Sequence, residues 1–226
     1  MTCLKLKSVA LAATLLASMA SAQAQNLLTE SFDDFAALSG SGWVVKNRSE
    51  DPGTTSWFQG DASVLTAHSG APEAYVAVNY NSATDPGAIL NFLMTPVISL
   101  SQAGTLSFWT SSDTTLGYAD RLAVSLSING ASTFTGSFLT SLATVNLGLQ
   151  VNGYPTTWTH YTANFGAQGA GATGRIAFIY SNPDSSTANY IGIDTVSVNA
   201  VPEPTTWVLM GLGVLGLGLL RRRAAL

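Results

Sequence analysis

Charge is scarce in this chain: Asp, Glu, Lys and Arg together make up 10% of 226 residues, against 46% hydrophobic. There is one cysteine, Cys3, and there are two histidines, His68 and His160. A lone cysteine excludes an internal disulfide framework and Cys₂His₂-type zinc sites. It also falls in a stretch that reads as a cleavable leader. Lys5 and Lys7 are followed by apolar Ser8–Ala17 and by small-residue cleavage sites at Ala20-Ser21-Ala22 or Ala22-Gln23-Ala24. Removing residues 1–24 as a signal peptide leaves no thiol, and so no cysteine catalysis. Neither histidine lies in a His-Glu-x-x-His pair or near a Gly-x-Ser-x-Gly elbow. His68 reads as a loop residue and His160 as a solvent-facing strand residue.

Positive charge is scarcer still in the body of the chain. Between residues 25 and 200 the bases are Lys46, Arg48, Arg121 and Arg175, against twelve acids, a formal charge of −8. Such a surface repels phosphate backbones, so nucleic acid is excluded as a partner. Sustained helical periodicity is also missing before residue 205, and no internal repeat is present.

What is there is alternation. Apolar residues recur at every second position, bounded by Gly, Pro, Asn, Asp and Ser, in Leu27–Phe32, Trp43–Asn47, Ala74–Tyr80, Ile89–Met94, Thr105–Thr110 and Arg121–Ile128. The pattern continues in Thr144–Val151, Trp158–Phe165 and Gly174–Tyr180. In Arg121–Ile128 the residues Leu122, Val124, Leu126 and Ile128 share a face, and Asn129-Gly130 reads as a hairpin turn. Ala74–Tyr80 places Val76, Val78 and Tyr80 together. The last strand slips phase: Ile191 and Ile193 have one parity, Val196 and Val198 the other. Both pairs reach one face only if the backbone bulges near Asp194-Thr195. Many short strands with turn signals every ~8–12 residues predict an all-β, two-sheet antiparallel sandwich over residues 25–200.

The C-terminal residues 201–226 have a different composition. Val201-Pro202-Glu203-Pro204 cannot continue a strand or helix, because proline fixes φ and has no N–H to donate. Thr205-Thr206 and the apolar run Trp207–Leu220 follow, then Arg221-Arg222-Arg223. Fourteen apolar residues make about 21 Å of helix against a hydrocarbon layer of about 30 Å. Trp207 suits a headgroup boundary, however, and the three arginines can snorkel from the other side. The span 205–220 is therefore read as a single membrane helix with basic end 221–223, the rest of the chain lying outside.

Pro-Glu-Pro followed by a short apolar helix and an arginine cluster resembles the PEP-CTERM sorting signal of Gram-negative bacteria. A plain C-terminal anchor places the domain on the same side. The PEP-CTERM resemblance implies export through the inner membrane, processing near Val201, Pro202, Glu203 and Pro204 by an exosortase, and a cell-surface or matrix destination rich in exopolysaccharide. A second resemblance spans most of the body. Glu30-Ser31-Phe32-Asp33, Gly42-Trp43, Asn47 and Trp57 are similar to the opening of the choice-of-anchor J domain, akin to cleaved-adhesin and MAM-like jelly rolls. Asn91–Pro96, Leu106–Trp109, Asp120–Ser125, Trp158, Ile176–Tyr180 and Ile191–Val196 follow in that family's order. The chain departs from it at Phe92, where tryptophan is usual, and at Thr195, where a second acidic or amide residue is usual.

The second resemblance implies that the first and last strands are neighbours, bringing Glu30 and Asp33 near Asp194. With backbone carbonyls these would give the oxygen shell that Ca²⁺ takes; otherwise Asp194 bonds turn amides and Glu30 is solvated. Trp57, Phe58, Tyr118, Tyr154 and Trp158 lie near expected loops, where a flat ring either stacks on a sugar or fills the core. The sequence thus points to an exported, non-enzymatic surface or matrix protein with carbohydrate or adhesive binding. A secreted hydrolase of polysaccharide or peptide, with unmarked carboxylates, and a ligand-free structural protein are the alternatives.

Overall fold

The structure, a computed structural model, describes residues 24–201. The leader, Pro202–Pro204, the expected membrane helix and the basic end lie outside the described residues. Twelve strands run in chain order: β1 (Asn26–Glu30), β2 (Val44–Asn47), β3 (Phe58–Gln59), β4 (Val76–Asn79), β5 (Ile89–Met94) and β6 (Ile98–Ser99), then β7 (Gly104–Ser112), β8 (Leu122–Ser127), β9 (Thr140–Val145), β10 (Thr159–Phe165), β11 (Thr173–Asn182) and β12 (Tyr190–Ala200). The only helical elements among the described residues are four short 3₁₀ turns, and none is long and apolar enough to cross a membrane.

The strands form two six-stranded antiparallel sheets. One has the order β10-β7-β12-β4-β3, with β1 also on β12; the other has β2-β5-β11-β8-β9, with β6 also on β11. The alternating residues meet between them. Leu106, Phe108, Ile191, Val196 and Val198 from the first sheet pack with Leu122, Val124, Ile176 and Phe178 from the second, all essentially inaccessible. Phe108 meets Phe178 edge to face at 5.3 Å, tying the central strands of the two sheets together. The fold is the all-β sandwich that the alternation predicts.

The phase slip resolves as expected. β12 pairs with β7 in register from Ile191 to Asp194, and again from Ser197 to Ala200, with the shift between Asp194 and Ser197. Thr195 takes φ = +50°, an αL conformation that is uncommon for a β-branched residue. The extra residue turns Val196 and Val198 back to the face of Ile191 and Ile193. On one flank of β12, β4 pairs before the bulge, ending its ladder at Val76↔Ile193. β1 pairs after it, with Glu30↔Val196.

Three expectations differ from the structure. Asn129-Gly130 does not close a two-residue hairpin: Gly130 has φ = +59°, but β8 and β9 are joined by residues 128–139. That segment folds over the outer face of the second sheet, where Phe138 packs on Phe92, and Ile128 is left exposed. The strand expected at Thr144–Val151 ends at Val145, because Asn146 turns to φ = +52° and its side chain bonds Gln150. Tyr80 is not on a strand face either; β4 stops at Asn79, whose side chain accepts from the Asn81 amide and caps a 3₁₀ turn.

Deleting Thr195 removes the extra residue and joins Asp194 directly to Val196, so an unbroken period of two keeps Val196 and Val198 on the face of Ile191 and Ile193. The deletion variant is expected to keep a cooperative melt by circular dichroism, and loss of that melt would show that Thr195 is not the residue taken out of the ladder. Thr195→Gly tolerates the positive φ and is expected to keep the fold within about 1 kcal/mol of the parent.

Candidate functional site

Both ends of the unit Gln25–Val201 leave from one end of the sandwich. The Ala200 amide donates to Gln25 O at 2.8 Å, and the Val201 amide to Ala103 O at 2.7 Å. At the other end, where β4, β7 and β11 finish and β5, β8 and β12 begin, the loops enclose a cleft of about 470 Å³. Its walls include Tyr80, Asn81, Asp85, Tyr118, Ser185 and Ser186.

The walls are built by capped turns tied to one another. Asn79 caps the turn Tyr80–Ser82, and Asp184 caps the turn Ser185–Thr187 through the Ser186 amide. The Tyr80 amide donates to Asn189 O at 2.8 Å, the Ser185 amide to Gly87 O at 2.9 Å, and the Ala119 amide to Thr187 O at 2.9 Å. Asn47 Nδ2 donates to Ser82 O at 2.7 Å. The Tyr80 ring remains 46% exposed on this fixed frame. Two phenols, serine hydroxyls, a carboxamide and one carboxylate line the cleft, and no base does. Such a surface can stack on and hydrogen-bond a neutral, hydroxyl-rich ligand.

Buried Asp120 braces this end from behind, its Oδ1 accepting from Tyr180 Oη and from the Asn189 amide. Asn189 Nδ2 donates in turn to Asp113 Oδ1 at 2.7 Å. Burial pushes the Asp120 carboxyl above its ordinary value of 3.8, and the two donors pull the other way.

The acids expected to bind calcium share one corner, at the β12 bulge. Asp194 is fully buried; its Oδ2 accepts from the Ser69 amide at 2.9 Å, and its Oδ1 from the amide and hydroxyl of Thr195. Asp33 Oδ1 lies 3.2 Å from where a Cβ on Gly70 would sit. Glu30 Oε1 accepts from the Phe32 amide at 2.9 Å. Asp194 thus bonds Ser69, Asp33 lies near Gly70, and Glu30 stands on β1 opposite Val196 while bonding its own neighbour Phe32. Among the described residues no three His, Cys, Asp or Glu side chains converge as a metal shell. Of the sorting residues only Val201 is described; Pro202, Glu203 and Pro204 are not.

The aromatic candidates separate clearly. Trp57 and Tyr154 are buried, Tyr154 with its hydroxyl 2.6 Å from Thr110 Oγ1. Phe58 and Trp158 pack in a cluster with Tyr75, Ala77 and Tyr190, and Trp158 Nε1 donates to Thr66 O. Only Tyr118 lines the cleft, where it is joined by Tyr80, missed by an alternation count that overran the end of β4. The Asn79 cap before Tyr80 is the local signal that marks the turn. The histidines are elsewhere: His68 stacks on Trp109 at 3.9 Å, and exposed His160 lies against the same ring at 4.9 Å.

In comparisons with known proteins, residues 200–223 match the PEP-CTERM protein-sorting motif, which marks an exported protein sorted to the cell envelope. Among solved structures the chain is similar to the K1 cleaved adhesin domain of Lys-gingipain from Porphyromonas gingivalis. The TM-score is 0.59 at 20% identity, covering 77% of this chain and 98% of that one. It is similar also to the K3 cleaved adhesin domain of the same protein, at TM-score 0.53 and 21% identity over 79% and 100%. At these identities the likeness is one of fold. No curated protein matches the chain.

Asp120 and Asp194 both have folded-state carboxyls raised by burial. The native state therefore binds protons more tightly than the unfolded chain, and stability falls as pH rises from about 4 through the raised values, then levels off. Thermal melts across that range are expected to show this decline. Asp120→Asn should make it shallower, because the amide carries no proton to lose while the Asp194 contribution remains.

Proposed function

We propose that the protein is an exported, non-enzymatic binding module of the cell surface or matrix, sorted by an exosortase in a Gram-negative envelope. The cleft at the end of the sandwich away from Val201 takes a neutral glycan of the exopolysaccharide or biofilm matrix. The observation that carries this reading is the exposed Tyr80 ring, set on capped, cross-bonded turns in a cleft that Tyr118, hydroxyl and amide groups also line. The sorting motif and the adhesin-like fold support the setting, and the order of resembling segments supports a choice-of-anchor J domain. A glycosidase generally needs two carboxyl groups flanking the scissile bond, and the cleft lining provides only Asp85. That favours holding over cleaving.

Calcium at the bulge corner belongs to the same proposal. Asp194, Glu30 and Asp33 would hold it, reinforcing the joint between β1, β4 and β12. What supports it is a fully buried Asp194 carboxylate, with Asp33 near Gly70 of the segment it bonds and Glu30 on β1 opposite Val196. A metal bound there would make the melting temperature sensitive to a chelator in the parent protein but not in Asp194→Asn. Equal sensitivity in the two rejects the site.

The cleft reading is tested by screening the full-length chain, in mild detergent, on a glycan array with product analysis alongside. Saturable binding without turnover is expected. Tyr80→Ala is expected to weaken binding about tenfold while leaving the melting temperature unchanged, since the ring is exposed. Released product would establish the hydrolase instead, and silence on every glycan would favour a ligand-free structural role.

A further inference from the structure

We propose that Lys46, Arg48 and Phe134 form a second, independent binding site, for a carboxylated sugar of an acidic polysaccharide, on the outer face of the β2-containing sheet. The three residues, with Thr135, line a groove of about 270 Å³. Lys46 lies on edge strand β2, opposite Phe92, and Arg48 extends the same strand, its amide donating to Leu90 O at 2.8 Å. Two positions apart on an extended chain, their side chains leave the same face about 7 Å apart.

The other wall is the 128–139 segment, docked at several points. Lys46 Nζ donates to Thr133 O and Oγ1, both at 2.9 Å. Arg175 Nε donates to Ala131 O, and the Phe138 ring packs on Phe92 at 6.2 Å. Phe134 precedes the 3₁₀ turn Thr135–Ser137 and is 68% exposed. A Cβ at Gly136 would fall 2.7 Å from Phe134 Cε1, so glycine there lets the ring lie along the turn. An apolar ring held flat in solvent is a stacking surface.

The charge here is equally out of place. Two of the four bases between residues 25 and 200 meet in this groove, and the hydrogen-bond partners of Lys46 are neutral oxygens. A carboxylate can take the Arg48 guanidinium in a two-pronged bond and the remaining Lys46 N–H, while its pyranose ring covers Phe134. The acidic body around the groove repels long runs of close-set negative charge, so recognition is confined to about one sugar ring at a time. Occupied together, this groove and the end cleft would let one molecule bridge two chains of a matrix.

The test is titration of the full-length chain with an oligogalacturonate and with the same oligomer after its carboxyls are reduced to alcohols. The acidic oligomer is expected to bind, more weakly as salt rises, and the reduced one to fail. Arg48→Glu and Phe134→Ala, both exposed, should each weaken acidic binding about tenfold without lowering the melting temperature. Tyr80→Ala should leave that binding unchanged, separating this site from the cleft. Equal binding of both oligomers, or indifference to Arg48→Glu and Phe134→Ala, overturns the proposal. Self-association of Arg48→Glu with unaltered binding also overturns it, because the charge would then serve only to keep an open strand edge from pairing.

Discussion

The structure depends on one geometric conflict inside its longest strand. β12 lies between β7 on one side and β4 with β1 on the other, and it must bury side chains over its whole length. A strict period of two cannot do that with Ile191 and Ile193 at one parity and Val196 and Val198 at the other. One residue has to be taken out of the ladder, and Thr195 is that residue. The break also divides the flank of the strand, β4 pairing before it and β1 after it. Asp194 closes the break: its carboxylate caps the displaced Thr195 amide and captures Ser69 from a distant loop.

That capture has a counterpart in the other sheet. Arg175, also buried, donates to Gly42 O, Thr95 O and Ala131 O, holding the 128–139 segment to the outer face. Each layer is thus covered by a loop fastened through a buried ionisable side chain directed at backbone. Desolvation is resisted in both places, lowering the arginine's pKa and raising the aspartate's. Oriented peptide groups make the arrangement tolerable. The covering loops in turn give the outer faces their own apolar clusters, Tyr75 with Tyr190 under one and Phe92 with Phe138 under the other.

Sequence periodicity reads what is local and repeated. It located Ile89–Met94 to the residue and found the bulge, because a parity change is visible without knowing the partner strand. It failed where a residue's role is decided by contacts far along the chain. Asn129-Gly130 has the composition of a tight hairpin, and Gly130 does take positive φ, but docking of Phe138 on Phe92 and of Thr133 on Lys46 draws the segment into a long cover instead. Tyr118 was nameable as a loop aromatic. Tyr80 was not, because the count of alternating residues ran on past the Asn79 cap. The cleft joins loops from four different connections, and no window of sequence contains it.

Polarity is sorted in space more sharply than the overall composition suggests. The end cleft is lined by one acid and no base, while the side groove holds two bases and no acid, in a body whose acids outnumber its bases three to one. An exported protein with so little charge has weak long-range steering, so under the proposed function a ligand would be selected at contact, by ring stacking and short hydrogen bonds. Each such contact is modest alone. Both termini of the sandwich leave from one end and the cleft stands at the other, among connecting loops, which tolerate change in length and sequence better than strands do. The core and bulge set the frame, and the proposed recognition would rest on which side chains the far loops present.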